Sequence, residues 1–253
     1  MNDFYNMIFK RKSFHLFRDI GNEKLAEEEL ECIRSFFDEV VPLNKDIKVK
    51  FVIDKGHNTC MRGQEYCILM YSEVKDNYLQ NIGYIGEQID LFLVSKNIAS
   101  LWYGIGWAKE KNLDGLDYVI MIAIKKADSP LKFRKDMFAS KRKPLEEIWQ
   151  GDSHLDIANI VRFAPSACNT QPWLVKSSNS QIDVYRYKGG KHGIMPKNKV
   201  DFYNQIDIGI FLLFLELCLK HNNIKYERNL FIEDSVDKIE ILNATYQIKN
   251  KPQ

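Results

Sequence analysis

The segment FAPSACNTQPW at positions 163–173 concentrates short hydrogen-bonding side chains between two prolines. Pro165 restricts helix continuation, and Pro172 holds the residue before it in an extended conformation. Between them, Ser166 and Asn169 offer donors and acceptors on short side chains. The pattern predicts a loop that presents these groups to the edge of a heteroaromatic ligand. The alternative is a helix-to-strand turn whose polar groups satisfy their own backbone.

The N-terminal segment FKRKSFHLF could bind an anion. It brings three basic side chains and a hydroxyl close together in sequence, namely Arg11, Lys12, Ser13 and His15. An arginine can hold a phosphate through two nitrogens, and a serine adds a hydroxyl donor. If Phe14 and Phe17 point inward, the basic side chains flank a cavity entrance. Taken alone, these residues favour a solvated basic patch.

A second basic segment, SKRKPLEEIW, places Lys141 and Arg142 just before Pro144. Pro144 suits the first turn of a helix, and the acidic residues after it favour a helix start. Basic side chains at this position could supply a second contact to a phosphate. The alternative is again a solvated charged run.

Two glycines interrupt the apolar run in NIASLWYGIGWAKEK, on either side of Ile105. We interpret Gly104 and Gly106 as a helix-to-loop transition. Glycine allows the backbone to approach a flat ligand closely, or to adopt a positive φ at a helix end. The segment is neither a GxGxxG nucleotide fingerprint nor a Walker motif.

The composition is that of a soluble globular protein, with 45% hydrophobic residues, 28% charged residues and a net charge of +2. Such a balance argues against a dedicated nucleic-acid binder. The five cysteines form no CxxC pair, so neither a disulfide framework nor a metal site is predicted. We expect a cytoplasmic protein, since the N-terminus lacks a signal-peptide pattern. The stretch IGIFLLFLELCLK is predicted to be a buried helix too short to span a bilayer.

The sequence shows an internal similarity at an offset of about 125 residues, too long for a solenoid repeat. Segments from Leu30 and from Leu155 each read as helix, turn and strand. Further on, a long apolar helix pattern begins at Ile85 and another at Ile208. YVIMIAIKK is typical of a central strand. We predict two related halves, about 1–150 and about 151–253, the alternative being a chance alignment of helix–strand stretches.

Together, these segments resemble the FMN-dependent nitroreductase family. PSACNTQPW matches the family pattern Pro-Ser-x-x-Asn-x-Gln-Pro-Trp at every defined position. Arg11 and Ser13 match the N-terminal Arg-x-Ser, with His15 replacing the usual Arg or Lys, and RKPLEE matches Arg-x-Pro-Leu-Glu-Glu. The Arg-x-Ser, Gly-rich and RKPLEE elements all precede residue 150 and the Pro-Ser loop follows it, an order that resembles the tandem, single-chain branch of the family.

The resemblance implies an α+β fold with a mostly antiparallel sheet flanked by helices, and a single pseudo-dimeric unit over 1–253 that mimics the family dimer. It implies one FMN per chain and allows a monomer. By this resemblance, Arg11, Lys12, Ser13 and Arg142 hold the phosphate, with Lys141 and His15 as helpers. Gly104, Ile105 and Gly106 place backbone near the reactive edge of the flavin, and Pro165, Ser166 and Asn169 meet the ring. No side chain is predicted to be catalytic, because the flavin carries the chemistry.

The implied activity is an FMN-dependent NAD(P)H oxidoreductase that reduces nitro compounds, quinones or similar acceptors with ping-pong kinetics. Its partner is then a small-molecule electron acceptor, with no nucleic acid and no membrane. One alternative is a cofactor-less protein that binds a small ligand or is a regulatory remnant. The bulky Trp102 and Tyr103, which follow the bulky Leu101 beside the glycines, favour that alternative, as does His15 in place of the usual Arg or Lys. Another keeps FMN and reduces an unrelated metabolite.

Overall fold

The structure of the chain, a computed structural model, describes residues 4–190, 193–232 and 238–249. The chain divides into two compact units, Met1–Met137 and Phe138–Gln253. This division lies ahead of the boundary predicted near residue 150. Lys141, Arg142 and Pro144 therefore belong to the second unit.

Over residues 4–137 the first unit contains three helices, one 3₁₀ turn and five strands. In chain order they are α1 (Tyr5–Lys10), α2 (Glu27–Phe37), β1 (Val49–Asp54), β2 (Tyr66–Ser72), α3 (Tyr78–Ser95), β3 (Ile98–Tyr103), β4 (Asn112–Leu113), β5 (Leu116–Lys126) and the 3₁₀ turn Pro130–Lys132.

The sheet of the first unit is antiparallel, with the order β1-β2-β5-β3 and the short β4 paired to β5. The predicted central strand YVIMIAIKK forms most of β5, which lies between β2 and β3 and is buried from Val119 to Ile124. Its run of β-branched and apolar residues suits a strand covered on both faces. Helix α3 is buried along nearly its whole length. The prediction of a central strand and of an apolar helix before it is confirmed.

The predicted helix-to-loop transition at SLWYGIG is wrong. Ile98–Tyr103 form β3, which pairs with β5 in a register that sets Leu101 opposite Ala123 and Trp102 opposite Ile122. Helix α3 has already ended at Ser95. An apolar run of this length fits a buried strand as well as a helix, and pairing with β5 decides between them.

The second unit contains three helices, one 3₁₀ turn and five strands over its described residues. In chain order they are α4 (Leu145–Ile148), β6 (Trp149–Gln150), α5 (Leu155–Val161), the 3₁₀ turn Ala167–Asn169, β7 (Trp173–Ser177), β8 (Gln181–Tyr187), α6 (Lys197–His221), β9 (Lys225–Leu230) and β10 (Glu240–Lys249). Pro144 directly precedes α4 as its N-cap residue, close to the first-turn position predicted for it.

The sheet of the second unit has the order β6-β7-β8-β10-β9. The short β6 is parallel to β7, and the other neighbours are antiparallel. The ring of Trp173 on β7 is 1% exposed and stacks on Phe211 of α6 with 4.9 Å between centroids. The core position of Trp173 adds an apolar contact between the helix and the sheet.

Helix α6 is longer than the apolar stretch IGIFLLFLELCLK within it. It runs for 25 residues, so the expectation that this segment is too short to span a bilayer is wrong for the helix. Among the described residues it is one helix that is long and apolar enough to cross a membrane, and 83% of its most apolar window is buried inside the protein. The core helix of a soluble protein meets the same criteria, and the predicted burial is confirmed.

The two sheets follow the same strand path. In the first unit two strands precede the long helix α3, and β5 then lies between β2 and β3. In the second unit the antiparallel strands β7 and β8, which follow the short β6, precede α6, and β10 then lies between β8 and β9. The predicted α+β class with antiparallel pairing is confirmed, in two five-stranded sheets rather than in one central sheet.

Candidate functional site

Within the second unit, Arg142 binds the loop that carries the conspicuous polar side chains. Its Nη1 donates to Oδ1 of Asn169 at 3.0 Å, and its Nη2 donates to the carbonyl of Phe163 at 3.0 Å. The amide nitrogen of Asn169 in turn donates to the carbonyl of Lys141 at 3.2 Å. The structure thus brings the RKPLEE and PSACN segments together, as one cluster on which Asn169 and Lys141 are exposed.

The backbone of this loop is strained. Three non-glycine residues within four positions have a positive φ: 50° at Cys168, 56° at Asn169 and 49° at Gln171. Each left-handed residue of this kind raises the energy by about 1–2 kcal/mol, somewhat less for asparagine. A loop that only reversed the chain would not require this conformation three times.

Hydrogen bonds to Gln171 hold the loop in this conformation. The hydroxyl of Ser166 accepts from the backbone nitrogen of Gln171 at 3.0 Å. The side-chain oxygen of Gln171 accepts from the backbone nitrogen of Lys143 at 2.8 Å, and its carbonyl accepts from Nζ of Lys143 at 2.9 Å. The sequence also allowed an alternative, a turn whose polar groups satisfy their own backbone. The Ser166 hydroxyl fits that alternative, because it accepts a hydrogen bond from a backbone nitrogen of the same loop. Pro165 is half-buried at the start of the loop.

A buried carboxylate lies beneath the loop. Oδ1 of Asp207 on α6 accepts from the backbone nitrogen of Ala167 at 2.9 Å, and only 3% of Asp207 is exposed. Burial raises the pKa of Asp207 to about 8, although its hydrogen bonds with Ala167 and Thr170 act in the opposite direction. At neutral pH the loop therefore rests on a carboxyl group that is largely protonated.

Within the first unit, Arg11 is buried against two acidic side chains. Its Nε lies 2.7 Å from Asp90 and 3.1 Å from Glu87, and the arginine is 6% exposed. Burial alone would lower the pKa of Arg11, but the charges and hydrogen bonds of Asp90 and Glu87 raise it overall. Ser100 also donates a hydrogen bond to Asp90. Arg11 is thus a charged member of a buried network, and any contact with a cofactor would be made from this fixed position.

Glu87 links this network to Trp102. Burial raises the pKa of Glu87 to about 8, with Arg11 acting against the shift. The indole nitrogen of Trp102 donates to Glu87 at 3.1 Å. The ring lies over Gly86, where an added Cβ would come within 2.4 Å of the Trp102 Cη2 atom. Trp102 therefore packs against helix α3, which requires glycine at this point of the helix.

The remaining residues of the Arg-x-Ser segment lie nearer the surface. Ser13 accepts from Nη1 of Arg11 at 3.3 Å and forms a parallel bridge with Ser100 of β3. Lys12 and His15 are exposed. Phe14 and Phe17 are 4% and 1% exposed, so the prediction that they point inward is confirmed. The cations alternate with core aromatics where the segment runs beside β3, the edge strand of the sheet.

The glycine turn after β3 presents backbone at the surface. Gly104 is half-buried, Ile105 is 66% exposed and Gly106 is buried. A Cβ at Gly106 would come within 2.6 Å of the Tyr103 ring, so this position tolerates only glycine without movement of the tyrosine. Leu101 belongs to the core and not to the turn.

A surface groove of the first unit lies away from all of these residues. It has a volume of 490 Å³ and is lined by the end of α2 and by β1, namely Arg34, Phe37, Asp38, Val49, Lys50, Phe51, Val52 and Ile53. In the described part of the chain, no group of three or more His, Cys, Asp or Glu side chains could hold a metal ion.

Sequence reasoning missed the buried acidic residues and Gln171. Glu87, Asp90 and Asp207 all lie in long apolar helices, and this was the available signal. An acidic residue inside such a helix needs a positive partner, a donor or a raised pKa. Gln171 offered no comparable signal, because its role depends on a left-handed backbone.

The fold of the chain has a counterpart among solved structures. The chain resembles the crystal structure of a "putative nitroreductase" from Thermotoga maritima MSB8, with a TM-score of 0.61 and 19% sequence identity over 98% of this chain and 93% of that one. At this identity the likeness shows the fold alone. No curated protein matches the chain by sequence. The family model described as "Putative TM nitroreductase" matches residues 3–218. Since that match covers most of the sequence, the chain belongs to this nitroreductase family.

Proposed function

We propose that the protein is an FMN-dependent NAD(P)H oxidoreductase that reduces nitro compounds, quinones or similar small acceptors. The observation that carries the proposal is the strained loop 166–171, whose Asn169 is exposed and is held by Arg142. Backbone strain of this kind is concentrated at sites where a ligand must be met in one geometry. Membership of a nitroreductase family supports the same reaction class.

The polar groups of the second unit fit one part of an FMN molecule. Asn169 presents an amide, which can donate to and accept from the polar edge of the isoalloxazine ring. Pro165 and Ser166 stiffen the start of the loop on which this amide lies. Lys141 and Arg142 add positive charge beside it, suited to the negative charge that a reduced flavin carries.

The first unit offers groups for the phosphate and the ring. Lys12 and His15 are exposed and Ser13 is half-buried, so these three side chains can contact a phosphate at the protein surface. Asp90 already neutralises much of the charge of Arg11, and we therefore propose that Arg11 chiefly positions Ser13. Gly104, Ile105 and Gly106 would offer backbone groups to the ring, because Ile105 is 66% exposed and glycine on either side allows a flat ligand to approach the backbone closely.

When bound, FMN would supply the redox chemistry, taking hydride equivalents from NADH or NADPH and passing electrons to the acceptor in a ping-pong cycle. The side chains would bind and orient it. Asn169, fixed by Arg142, would hold the ring edge, and the cations of the Arg-x-Ser segment would hold the phosphate. No side-chain acid or base is assigned to the reaction.

We also propose that the chain arose by internal duplication and imitates the family dimer, with one FMN per chain. The shared strand path of the two five-stranded sheets supports this. So does the position of a long buried helix at the same place in each unit. A chain that already contains two such units has less need of a second copy, so we expect a monomer.

A cofactor-less protein is the alternative, and one observation favours it. Arg11, Ser166 and Asn169 all have hydrogen-bond partners within the protein, so each is explained without a ligand. Under this alternative the strained loop would be a structural remnant.

The absorption spectrum of the purified protein distinguishes the two. We expect flavin absorption bands that correspond to about one FMN per chain, or saturable quenching of FMN fluorescence when FMN is added to the apo-protein. The spectrum should then bleach on addition of NADH or NADPH without air. A colourless protein that neither quenches FMN fluorescence nor retains FMN would rule out the proposed flavin oxidoreductase.

A further inference from the structure

Cys60 and Cys67 meet at one side-chain atom in the first unit. Oδ1 of Asn58 accepts from the backbone nitrogen of Cys60 at 2.9 Å and from the thiol of Cys67 at 3.4 Å. The same Asn58 is fixed through its amide nitrogen by the carboxylate of Asp54. Both thiols are free, and each affects the ionisation of the other. Two cysteines separated by only six residues are thus held side by side.

The two thiols have different environments. Cys67 lies on β2 and is fully buried, whereas Cys60 retains 6% exposure in a surface loop whose next residue, Met61, is 90% exposed. The neighbouring Cys67 thiol lowers the pKa of Cys60, with help from the backbone and charge of Arg62. The neighbouring Cys60 thiol and burial raise the pKa of Cys67. The thiol nearer the surface is therefore the more easily ionised of the two, which is the property of an attacking cysteine.

We propose that Cys60 and Cys67 form an oxidisable dithiol, in which a hydroperoxide oxidises Cys60 and Cys67 resolves the product to a disulfide. The Cys60 thiolate attacks the peroxide, so that an S–O bond forms and the O–O bond breaks; with hydrogen peroxide, water leaves. The Cys67 sulfur then attacks the Cys60 sulfenic acid, an S–S bond forms, and a second water leaves with the Cys67 proton. Two thiols and one hydrogen peroxide thus give one disulfide and two waters. A dithiol reductant reverses the change.

The loop that the disulfide would tie to β2 supports other parts of the first unit. The carbonyl of Arg62 accepts from the backbone nitrogen of Phe17 at 3.0 Å, and its guanidinium lies 5.5 Å from the centre of the Tyr103 ring. These contacts lead to the Arg-x-Ser segment and to the glycine turn. The proposed dithiol involves no flavin chemistry, and its test is independent of the proposed function.

Peptide mapping of the whole protein tests the proposal. Dilute protein is treated with stoichiometric hydrogen peroxide, blocked with N-ethylmaleimide in denaturant and digested with trypsin without reductant. Cleavage after Arg62 separates the two cysteines, so a disulfide joins the peptides 56–62 and 63–75 into one linked species that dithiothreitol splits. We expect this linked pair to be the main product. The exposed Cys32 serves as the internal control that oxidant was present.

Two variants test the order of the steps. Cys67→Ser should leave a sulfenic acid on Cys60 that dimedone traps, whereas Cys60→Ser should leave Cys67 unmodified under the same conditions. Oxidation of Cys32 without any linked 56–62 and 63–75 peptides in the wild type would overturn the proposal. So would dimedone labelling of Cys67 in Cys60→Ser at the rate seen for Cys60.

Discussion

Nη1 of Arg142 donates a hydrogen bond to Oδ1 of Asn169 across 3.0 Å, and Asn169 has a left-handed backbone with φ of 56°. A long-range side-chain contact thus holds a residue whose backbone is intrinsically unfavourable. Asn169 returns a hydrogen bond to the carbonyl of Lys141, so the two segments bind each other in both directions. The amide is positioned before any ligand arrives, and preorganisation of this kind raises affinity.

Replacement of Asn169 by glycine tests whether this amide contacts the cofactor. Asn169→Gly removes the side chain and keeps the left-handed backbone accessible, while the hydrogen bonds of Gln171 with Ser166 and Lys143 still hold the loop. We expect FMN to bind about tenfold more weakly, equivalent to the loss of one hydrogen bond of about 1.4 kcal/mol. Fluorescence quenching during FMN titration measures the dissociation constant.

Cys168→Gly is the matched control. Cys168 is the neighbouring exposed residue and also has a positive φ, but its thiol is assigned no part in binding. Its replacement should leave FMN affinity unchanged. Equal affinities for wild type, Asn169→Gly and Cys168→Gly would show that the amide at 169 serves the loop alone.

The positions of the strands could be predicted from sequence where apolar residues were continuous and bounded by turns. YVIMIAIKK indicated a buried strand and forms most of β5, and the strand predicted in the segment from Leu30 is β1. IASLWY, of similar composition, was assigned to a helix end and is β3. Periodicity in a short apolar run does not distinguish these states, and only the non-local pairing with β5 resolves them.

Residues of the candidate site could be predicted from the sequence, but the contacts among them could not. Sequence motifs pointed to Arg11 and to Asn169, and neither motif indicated the partner that the structure assigns. Arg11 contacts Asp90, which is 79 positions away, and Asn169 contacts Arg142, which is 27 positions away. Such partners are brought together by packing of the helices and loops, for which a local pattern contains no information.

Arg11 and Lys12 are adjacent, but their replacements should affect different properties of the protein. Arg11→Ala leaves Asp90 buried without its counter-charge, and loss of one partner of a buried ion pair destabilises by about 3–5 kcal/mol. Lys12→Ala removes an exposed cation and should change stability by less than about 0.5 kcal/mol. It should, however, weaken FMN binding if the phosphate lies at this segment.

Urea unfolding followed by circular dichroism measures the two stabilities, and FMN titration measures affinity where the variant is folded. Arg11→Lys gives a second comparison, because it restores the charge but not the planar guanidinium. An Arg11→Ala protein as stable as the wild type would contradict the buried network.

Gly86→Ala should destabilise the protein, although alanine is the better helix former. In an open helix the change would stabilise by up to about 1 kcal/mol. Here the new methyl group would meet the Trp102 ring at 2.4 Å, and the rigid indole cannot yield without losing its hydrogen bond to Glu87. Overpacking of this kind typically destabilises by about 1–3 kcal/mol.

Gly56→Ala is the control for this substitution. Nothing lies within 4 Å of a Cβ at Gly56, and its backbone does not have the positive φ that strains other residues. Its midpoint of urea unfolding should stay near that of the wild type. A Gly86→Ala protein that unfolds at the same urea concentration as Gly56→Ala would mean that Trp102 does not occupy this position.

The stability of the protein should depend on pH through Asp207. Burial raises its pKa in the folded protein to about 8, from an ordinary value of 3.8. Between these two values the unfolded chain releases the proton and the folded protein keeps it. The contribution of Asp207 to stability is therefore fully present below the ordinary pKa and is lost as pH rises toward 8. This direction is opposite to that of an acidic residue in a salt bridge.

Asp207→Asn isolates this effect, because asparagine keeps an oxygen that can accept from Ala167 and cannot ionise. From pH 5 to pH 7 the free energy of unfolding of the wild type should fall relative to the variant, by at most about 1.4 kcal/mol per pH unit. Glu87 also has a raised pKa, but it is present in both proteins and cancels in the difference. Urea denaturation of both proteins at several pH values gives this difference directly. Parallel pH profiles for the two proteins would show that Asp207 is ionised in the folded state at neutral pH, and the loop at Ala167 would then rest on a charged group.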